Sequence, residues 1–302
     1  DLYRGTSYYA KELEKIDLPK ADKYFLELQG ANSSATVYVN NKKLASHDGG
    51  YSTWRVDITD VLEDKNLFVV EVDNSANDRV YPQNADFTFY GGLYRDVNII
   101  AVNNSHFDLE YYGTPGIKVT PEVVGEHAKV DVEVFVKNAK ENQKLVYTIK
   151  DREGNVVAQR ETTASQKEAI FEIENVHLWH GRKDPYLYSV EVLLKENDEI
   201  LDNVSTRFGC RTFKIDPELG FILNGEEYPL RGVVVWAEIP YISTHMPKGR
   251  ENTITQMKEL VVQNYNHPSI VVWGLSNEIT MSGDSTEDLR ENHVILNDLV
   301  HE

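Results

Sequence analysis

The sequence predicts a multidomain protein: an all-β jelly roll, then an immunoglobulin-like β-sandwich, then part of a (β/α)8 TIM barrel. Many short strands of alternating apolar and polar residues, separated by polar turns, fill residues 1–212, as in sandwiches and jelly rolls. Beyond them, the short β-branched run Ile270–Leu275 is typical of a buried parallel strand. A chain of 302 residues is long enough for two or three domains.

Residues 1–103 form the predicted jelly roll. Asn40-Asn41-Lys42 predicts a hairpin turn before Lys43–Ala45, because asparagine is common in tight turns. The predicted strands share the period-two alternation and are Tyr24–Leu28, Ala35–Val39, Trp54–Ile58 and Asn66–Val72. Trp54 could stack on a sugar, but an aromatic residue in a sandwich more often belongs to the core.

Residues 104–212 form the predicted immunoglobulin-like sandwich. Val130–Val136 alternates over seven residues, and Asp151–Asn155 supplies a turn signal. Three further predicted strands are Leu145–Ile149, Ala169–Ile173 and Leu187–Leu193. We expect a structural role for this unit, as a spacer that fixes the first domain against the third.

Residues 213–302 form the third predicted unit. Asn224-Gly225 marks a hairpin turn. Residues 251–265 predict a helix, because Ile254, Met257, Leu260 and Val261 fall on one helical face. A second helix is expected over 288–300, after the apolar strand.

The apolar strand ends in the polar pair Asn277-Glu278. In a (β/α)8 barrel, side chains at the carboxyl ends of the strands face the active site. A carboxylic acid held over an apolar barrel mouth is desolvated, which suits a general acid near neutral pH. The alternative is a strand followed by a capped helix, with Glu278 on the helix dipole. The spacing alone does not decide between the two.

The composition excludes several classes of partner. The chain has 49 acidic and 31 basic residues and a net charge of −18, which disfavours nucleic acids and anionic membranes as partners. Cys210 is the single cysteine, so no intramolecular disulfide is expected, and we predict that it is buried as a small hydrophobe. No apolar run approaches 18 residues, so no transmembrane helix is expected. No cofactor or metal is predicted.

The stretch NHPSIVVWGLSNE, Asn266–Glu278, resembles the acid/base signature of glycoside hydrolase family 2, which holds β-galactosidases, β-glucuronidases and β-mannosidases. The resemblance implies that Glu278 is the general acid/base of a retaining glycosidase. It also implies that Asn277 hydrogen-bonds the sugar 2-hydroxyl, a bond that strengthens in the oxocarbenium-like transition state. His267 in this signature is expected to be structural.

Two further segments resemble the sugar-binding domain of the family, Gly49–Leu62 and Phe89–Val97. The segment before the second one, Tyr81–Phe87, resembles the β-galactosidase loop whose aspartate reaches the galactose hydroxyls. This resemblance implies a substrate-binding role for Asp86. The alternative is an ordinary turn aspartate.

The barrel itself looks incomplete. Leu230–Val233 resembles the first barrel strand of the family, and Val234–Pro240 resembles the third. The first helix, the second strand and the second helix are expected between these strands but are not found in the sequence. A complete barrel takes about 250 residues, so we expect an incomplete record of a longer chain, with an internal gap and segments beyond both ends. A genuine internal deletion is the alternative. The nucleophile, a glutamate on a later strand of the family, would lie in a missing segment.

Two other residues are candidates for the pocket. Glu238 ends the Val234–Pro240 strand, and Arg231 ends the preceding one. Each could instead serve in a structural ion pair of the barrel. A subset of the family binds magnesium beyond the third strand, but Ile239–His245 does not match that pattern, so no metal is expected.

We therefore predict a retaining exo-glycosidase that hydrolyses terminal β-D-galactosides, with Glu278 as its acid/base. The alternatives are a β-glucuronidase or another family member. If the sequence is literally complete, a non-catalytic carbohydrate-binding fragment is the remaining alternative. The expected partner is a small carbohydrate; a homo-oligomer is left open, and so is the compartment, cytoplasmic or secreted.

Overall fold

The structure is a computed structural model, and it describes residues 3–229, 234–281 and 286–302. The first unit holds nine strands. They are β1 Thr6–Glu14, β2 Lys23–Leu28, β3 Ala31–Asn32, β4 Ser34–Val39, β5 Lys42–Asp48, β6 Trp54–Asp57, β7 Lys65–Asp73, β8 Gly92–Leu93 and β9 Val97–Val102. All four strands predicted in this unit are confirmed within two residues at either end.

Two antiparallel sheets form the jelly roll of the first unit. One has the order β1-β7-β4-β5, and the other has the order β6-β2-β9. The predicted hairpin turn joins β4 and β5 through Asn40 and Asn41, and their φ angles are 51° and 65°. Trp54 is buried in the core between the sheets and stacks on the ring of His47. It is therefore a core residue.

The second unit is the immunoglobulin-like sandwich. Its sheets have the orders β11-β12-β16 and β15-β14-β17-β18, with a short β10–β13 pair beside them. The strands are β10 His106–Phe107, β11 Ile117–Val124, β12 His127–Val134, β13 Val136–Lys137, β14 Gln143–Lys150, β15 Val156–Thr163, β16 Glu168–Ile173, β17 Tyr188–Glu196 and β18 Glu199–Phe208. Cys210 lies in the core of this unit, and burial raises the pKa of its thiol to about 12.

One predicted strand of the second unit is divided in the structure. The alternation over Val130–Val136 continues across Phe135, but β12 ends at Val134 and β13 begins at Val136. At Phe135 the backbone changes partners: its N–H donates to Gly116, and its carbonyl accepts from Asp108. The pattern of side chains persists through this change, so the sequence does not reveal it.

The third unit contains a small antiparallel sheet, two parallel strands and two helices. Its elements are β19 Phe213–Asp216, β20 Gly220–Leu223, β21 Glu226–Glu227, β22 Val235–Glu238, α1 Arg250–Asn264, β23 Ile270–Gly274 and α2 Glu287–His301. β22 and β23 pair in parallel, as the barrel prediction requires. The predicted strand Leu230–Val233 lies outside the described residues. Neither helix is long and apolar enough to span a membrane.

Four short 3-10 turns complete the described secondary structure, at Lys15–Asp17, Thr59–Val61, Tyr111–Gly113 and Pro247–Gly249. The limits predicted for the three domains, 1–103, 104–212 and 213–302, stay predictions.

The second unit contacts both of its neighbours through partly buried polar side chains. Arg55 of β6 pairs with Glu27 and also donates to the carbonyls of Leu109 and Thr114, at 2.8 and 3.0 Å. On the other side, the amide of Asn266 bonds the backbone of β11 twice, at 2.9 and 3.0 Å. Because a partly buried amide or guanidinium loses free energy when its hydrogen bonds are broken, these bonds favour one relative placement of the units. They support the expected spacer role.

Candidate active site

The parallel pairing of β22 and β23 brings the carboxyl ends of the two strands side by side. Glu238, the last residue of β22, lies opposite Gly274, the last residue of β23. The pairing resumes beyond the strands, where the N–H of Asn277 donates to the carbonyl of Tyr241 at 2.9 Å. Asn277 is thereby held at the same edge of the sheet as Glu238.

Glu278 follows Asn277 in a turn rather than in a helix. Its φ angle is +46°, a left-handed conformation that is uncommon in non-glycine residues and is concentrated at functional sites. The alternative prediction of a capped helix at this position is wrong, because α2 is capped by Thr286, whose hydroxyl accepts from the N–H of Leu289. The Glu278 side chain is exposed, so the described residues do not supply the expected desolvation.

Glu238 is half-buried and turned across the neighbouring strand. Its carboxylate accepts a hydrogen bond from the indole N–H of Trp236 at 3.1 Å. A Cβ at Gly274 would lie 2.6 Å from its Oε2 atom, so the glycine makes room for this carboxylate. Burial raises the pKa of the Glu238 carboxyl. The structure shows no lysine or arginine paired with it within the described ranges, and Arg231 lies outside them.

Glu238 and Asn277 line one cavity of about 450 Å³. Phe87 of the first unit forms another part of its wall, and α1 contributes Gln256 and Glu259. The cavity therefore lies between the first unit and the third. A mostly apolar pocket with a few converging polar groups is the usual form of a small-molecule site.

Asp86 belongs to the loop that carries Phe87, and it is exposed, outside the walls of this cavity. The loop is tethered to the strand ends through Ser243. The hydroxyl of Ser243 donates to the carbonyl of Asn84 at 3.2 Å, and its backbone N–H donates to the carbonyl of Asn277 at 3.3 Å. Two consecutive hydrogen bonds thus connect the Asp86 loop to the residue before Glu278.

Tyr81, at the start of the same loop, is buried in the third unit. It is 2% exposed and packs among Ile239, Tyr241 and Met257. Its hydroxyl accepts from the backbone N–H of Met246 at 2.5 Å. A residue of the jelly roll is therefore part of the core beneath the candidate site, and it anchors the loop there.

Helix α1 docks on the first unit through a row of polar residues that sequence reasoning missed. These residues recur at helical spacing and are Asn252, Gln256, Glu259 and Gln263. Asn252 accepts from the N–H of Tyr81 at 2.9 Å, and Glu259 pairs with His47 at 2.5 Å. The spacing was visible in the sequence, but buried polar residues carry no hydrophobic signal. The apolar face was predicted correctly, since Met257 is fully buried.

The position considered for magnesium is occupied by a hydrogen-bonded histidine. His245 bonds the hydroxyl of Tyr241 at 2.6 Å and the carboxylate of Asp288. Within residues 3–229, 234–281 and 286–302, no three metal-ligating side chains of the His, Cys, Asp or Glu type cluster.

Three models of one family match consecutive parts of the chain. Residues 2–103 match the sugar binding domain of glycosyl hydrolases family 2, and residues 115–211 match the family 2 model itself. Residues 217–298 match the TIM barrel domain of the same family. The chain belongs to glycoside hydrolase family 2. Its fold is thus a sugar-binding jelly roll, an immunoglobulin-like domain and a partial TIM barrel.

Relatives in this family carry two kinds of name. A β-glucuronidase of Bacteroides fragilis is 30% identical across 94% of this chain and 52% of its own length. A β-galactosidase of Thermoanaerobacter pseudethanolicus is 29% identical across 81% of this chain and 33% of its own. The crystal structure of an FMN-binding β-glucuronidase from Facaelibacterium prausnitzii L2-6 superposes with a TM-score of 0.94 and 34% identity, covering 98% of this chain and 55% of that one.

The chain spans about half the length of the first relatives that it matches. The alignment with the Bacteroides fragilis protein extends over 358 positions, more than the 302 residues of the chain. That relative therefore has residues inside the aligned region that have no counterpart here.

Proposed function

We propose that the full-length protein is a retaining exo-β-glycosidase in which Glu278 is the general acid/base. The observation that carries this proposal is the placement of Glu278 directly after Asn277, beyond β23, at the end of the sheet where β22 and β23 pair in parallel and Glu238 ends β22. Catalytic side chains of (β/α)8 barrels come from this end of the strands. The nucleophilic glutamate would be supplied by residues outside this sequence.

A retaining glycosidase uses two carboxyl groups about 5–5.5 Å apart, one as acid/base and one as nucleophile. Protonated Glu278 donates its proton to the glycosidic oxygen while the nucleophile attacks the anomeric carbon, and the aglycone leaves as an alcohol. The Glu278 carboxylate then takes a proton from water, whose oxygen attacks the anomeric carbon and releases the nucleophile. Asn277 donates to the sugar 2-hydroxyl, which favours the transition state.

We propose a terminal β-D-glucuronide as the first substrate class. Two of the three relatives described above, including the structure with a TM-score of 0.94, are named β-glucuronidases. The described cavity wall contains two carboxylates, Glu238 and Glu259, and no cation. A group that binds the sugar carboxylate would therefore come from outside the described wall of this cavity.

A terminal β-D-galactoside is the second candidate and remains the prediction from the sequence alone. The Asp86 loop, the acidic cavity wall and the relatives named β-galactosidases favour it, since two carboxylates repel a third. The galactoside and glucuronide candidates share every step of the mechanism.

Assays of the full-length protein with nitrophenyl β-glycosides test the proposal. Glucuronide, galactoside, glucoside and mannoside are compared by kcat/KM, with Glu278→Gln as the matched control. A kcat/KM for one glycoside well above the other three would support the proposal. So would a loss of that activity in Glu278→Gln on substrates whose leaving group needs a proton. No hydrolysis of any of the four by the intact protein would contradict it.

A further inference from the structure

A second cavity of about 620 Å³ lies in the first unit, on the other side of the loop that carries Asp86. We call it the Tyr90 cleft. Its walls come from the start of the chain, the loop around Asp86 and three residues at or beside strand ends, and they are Tyr3, Arg4, Gly5, Ser7, Tyr9, residues 83–85, residues 87–92, Asn32, Ser33 and Asn74. Phe87 lines both the Tyr90 cleft and the candidate active-site cavity, so the two cavities adjoin.

Two exposed tyrosines stand at the Tyr90 cleft. Tyr3 is 70% exposed and Tyr90 is 71% exposed, although large aromatic side chains are usually more buried than this. An aromatic ring offers a flat apolar face together with a polar edge, which suits the alternating apolar and hydroxyl surfaces of a sugar ring. These tyrosines provide faces on which a saccharide can stack.

Asn32 connects the base of the Tyr90 cleft to the loop that carries Tyr90. Asn32 is 4% exposed, and its amide nitrogen donates to the carbonyl of Tyr90 at 2.8 Å. Its Oδ1 atom has no hydrogen-bond partner among the described residues. That atom faces Gly50, where a Cβ would lie 2.4 Å away, so the amide is fixed in place and its nitrogen holds the loop at Tyr90. The amides of Asn74 and Gln83 add further polar groups to the wall.

The charge of the Tyr90 cleft differs from that of the whole protein. Arg4 is the one charged residue in its described walls, while the chain has a net charge of −18. The Nε atom of Arg4 donates to the carbonyl of Asn74 at 3.1 Å, which fixes the base of an otherwise exposed guanidinium. A guanidinium binds a carboxylate through two parallel hydrogen bonds. The cleft therefore favours an anionic ligand.

Two glycines keep the Tyr90 cleft in shape. A Cβ at Gly91 would collide with the amide of Asn74, and one at Gly92 would collide with the hydroxyl of Tyr9. Gly92 also has a φ of 80°, which side-chain-bearing residues rarely adopt. The loop can therefore approach β1 closely only with glycine at these positions.

We propose that the Tyr90 cleft binds a saccharide that contains a uronic acid, with sugar rings stacked on Tyr3 and Tyr90 and the carboxylate paired with Arg4. This goes beyond the proposed hydrolysis, because binding in the cleft does not require Glu278. Since Phe87 joins the two cavities, an acidic oligosaccharide bound here can extend toward the candidate active site.

Calorimetric titration tests the proposal on the full-length protein carrying Glu278→Gln, which prevents turnover. The probes are cellobiouronic acid, a glucuronosyl-glucose, and neutral cellobiose. We expect the acidic disaccharide to bind more tightly. Arg4→Ala or Tyr90→Ala should weaken it about tenfold or more, as expected for a lost charge-assisted bond or stacking face.

Tyr8→Ala is the matched control, since Tyr8 is 67% exposed on β1 but outside the walls of the cleft. Its affinity should equal that of the parent. Equal affinities of the Tyr90→Ala and Tyr8→Ala variants would overturn the proposal, as would equal binding of the two disaccharides. Binding lost in Asn277→Ala but retained in Arg4→Ala and Tyr90→Ala would place the ligand in the active-site cavity and also overturn it. A failure of the hydrolysis proposal would appear separately, in the nitrophenyl assays.

Discussion

The backbone N–H of Ser243 donates to the carbonyl of Asn277 across 3.3 Å, and this contact joins the ends of the two parallel strands of the third unit. The hydroxyl of the same serine donates a hydrogen bond to the carbonyl of Asn84, in the loop of Asp86. A jelly-roll loop and the turn of Glu278 thereby share one bridging residue. The candidate site is built from two units of the chain, and its geometry depends on how they dock.

Tyr81 should contribute strongly to that docking. Tyr81→Ala removes a buried ring from the core of the third unit, and we expect a loss of about 3–5 kcal/mol in the free energy of unfolding. Tyr81→Phe retains the ring but leaves the N–H of Met246 unpaired, and should cost about 1–3 kcal/mol. Urea unfolding measures both values, from the transition that includes the third unit.

The control for Tyr81 is the exposed Tyr8, whose replacement by alanine should leave the free energy of unfolding nearly unchanged. A Tyr81→Ala variant as stable as the Tyr8→Ala variant would show that the loop is not anchored in the third unit.

Glu27 should make stability depend on pH. Burial alone would raise the pKa of this carboxyl, but hydrogen bonds from Asn98, Gln29 and Arg55 outweigh it and lower the pKa below 4.5. Because the folded-state pKa is the lower one, the stabilisation is fully present above the unfolded value and is lost as the pH falls through the folded value. Glu27→Gln should therefore be less stable than the parent at pH 7, and the difference should shrink below about pH 4.5.

Glu14→Gln is the comparison for Glu27, since Glu14 forms a largely exposed pair with Lys65. Its stability difference from the parent should be small and flat over the same range of pH. A Glu27→Gln difference that is equally flat would show that the buried Arg55 pair does not couple to folding.

Asp86→Ala tests the loop contributed by the jelly roll. If Asp86 binds sugar hydroxyls in the full-length protein, the variant should lose discrimination between galactosides and other glycosides, by roughly tenfold for one lost hydrogen bond to a charged group. The ratio of kcat/KM values measures this. Asp17, an exposed aspartate outside the walls of both cavities, provides a control, Asp17→Ala. Unchanged discrimination in Asp86→Ala would remove Asp86 from the site.

The sequence was sufficient for the fold but not for the way the units dock. Alternating strands, Asn-rich turns and the parallel strand Ile270–Leu275 are local patterns, and the structure confirms them. The docking of α1 depends on buried polar residues such as Asn252 and Glu259, which look like surface residues in a sequence. Their partners, Tyr81 and His47, are more than a hundred residues away, so no local pattern connects them.

The candidate site was also predictable only where its residues follow from local patterns. Glu278, Asn277 and Glu238 all follow from polar residues placed at the ends of apolar strands, which is a local signal. The role of Ser243 as a bridge is a tertiary property, because it requires the jelly-roll loop and the strand ends to meet.

The most direct test is the leaving-group dependence of Glu278→Gln in the full-length protein. A general acid contributes about 10²–10⁴-fold when the leaving group needs a proton, and far less when it does not. We therefore predict that kcat/KM on an unactivated disaccharide falls by a factor of that size. The rate of glycosyl-enzyme formation from a dinitrophenyl glycoside should fall much less. Normal turnover of the disaccharide by Glu278→Gln would contradict the account.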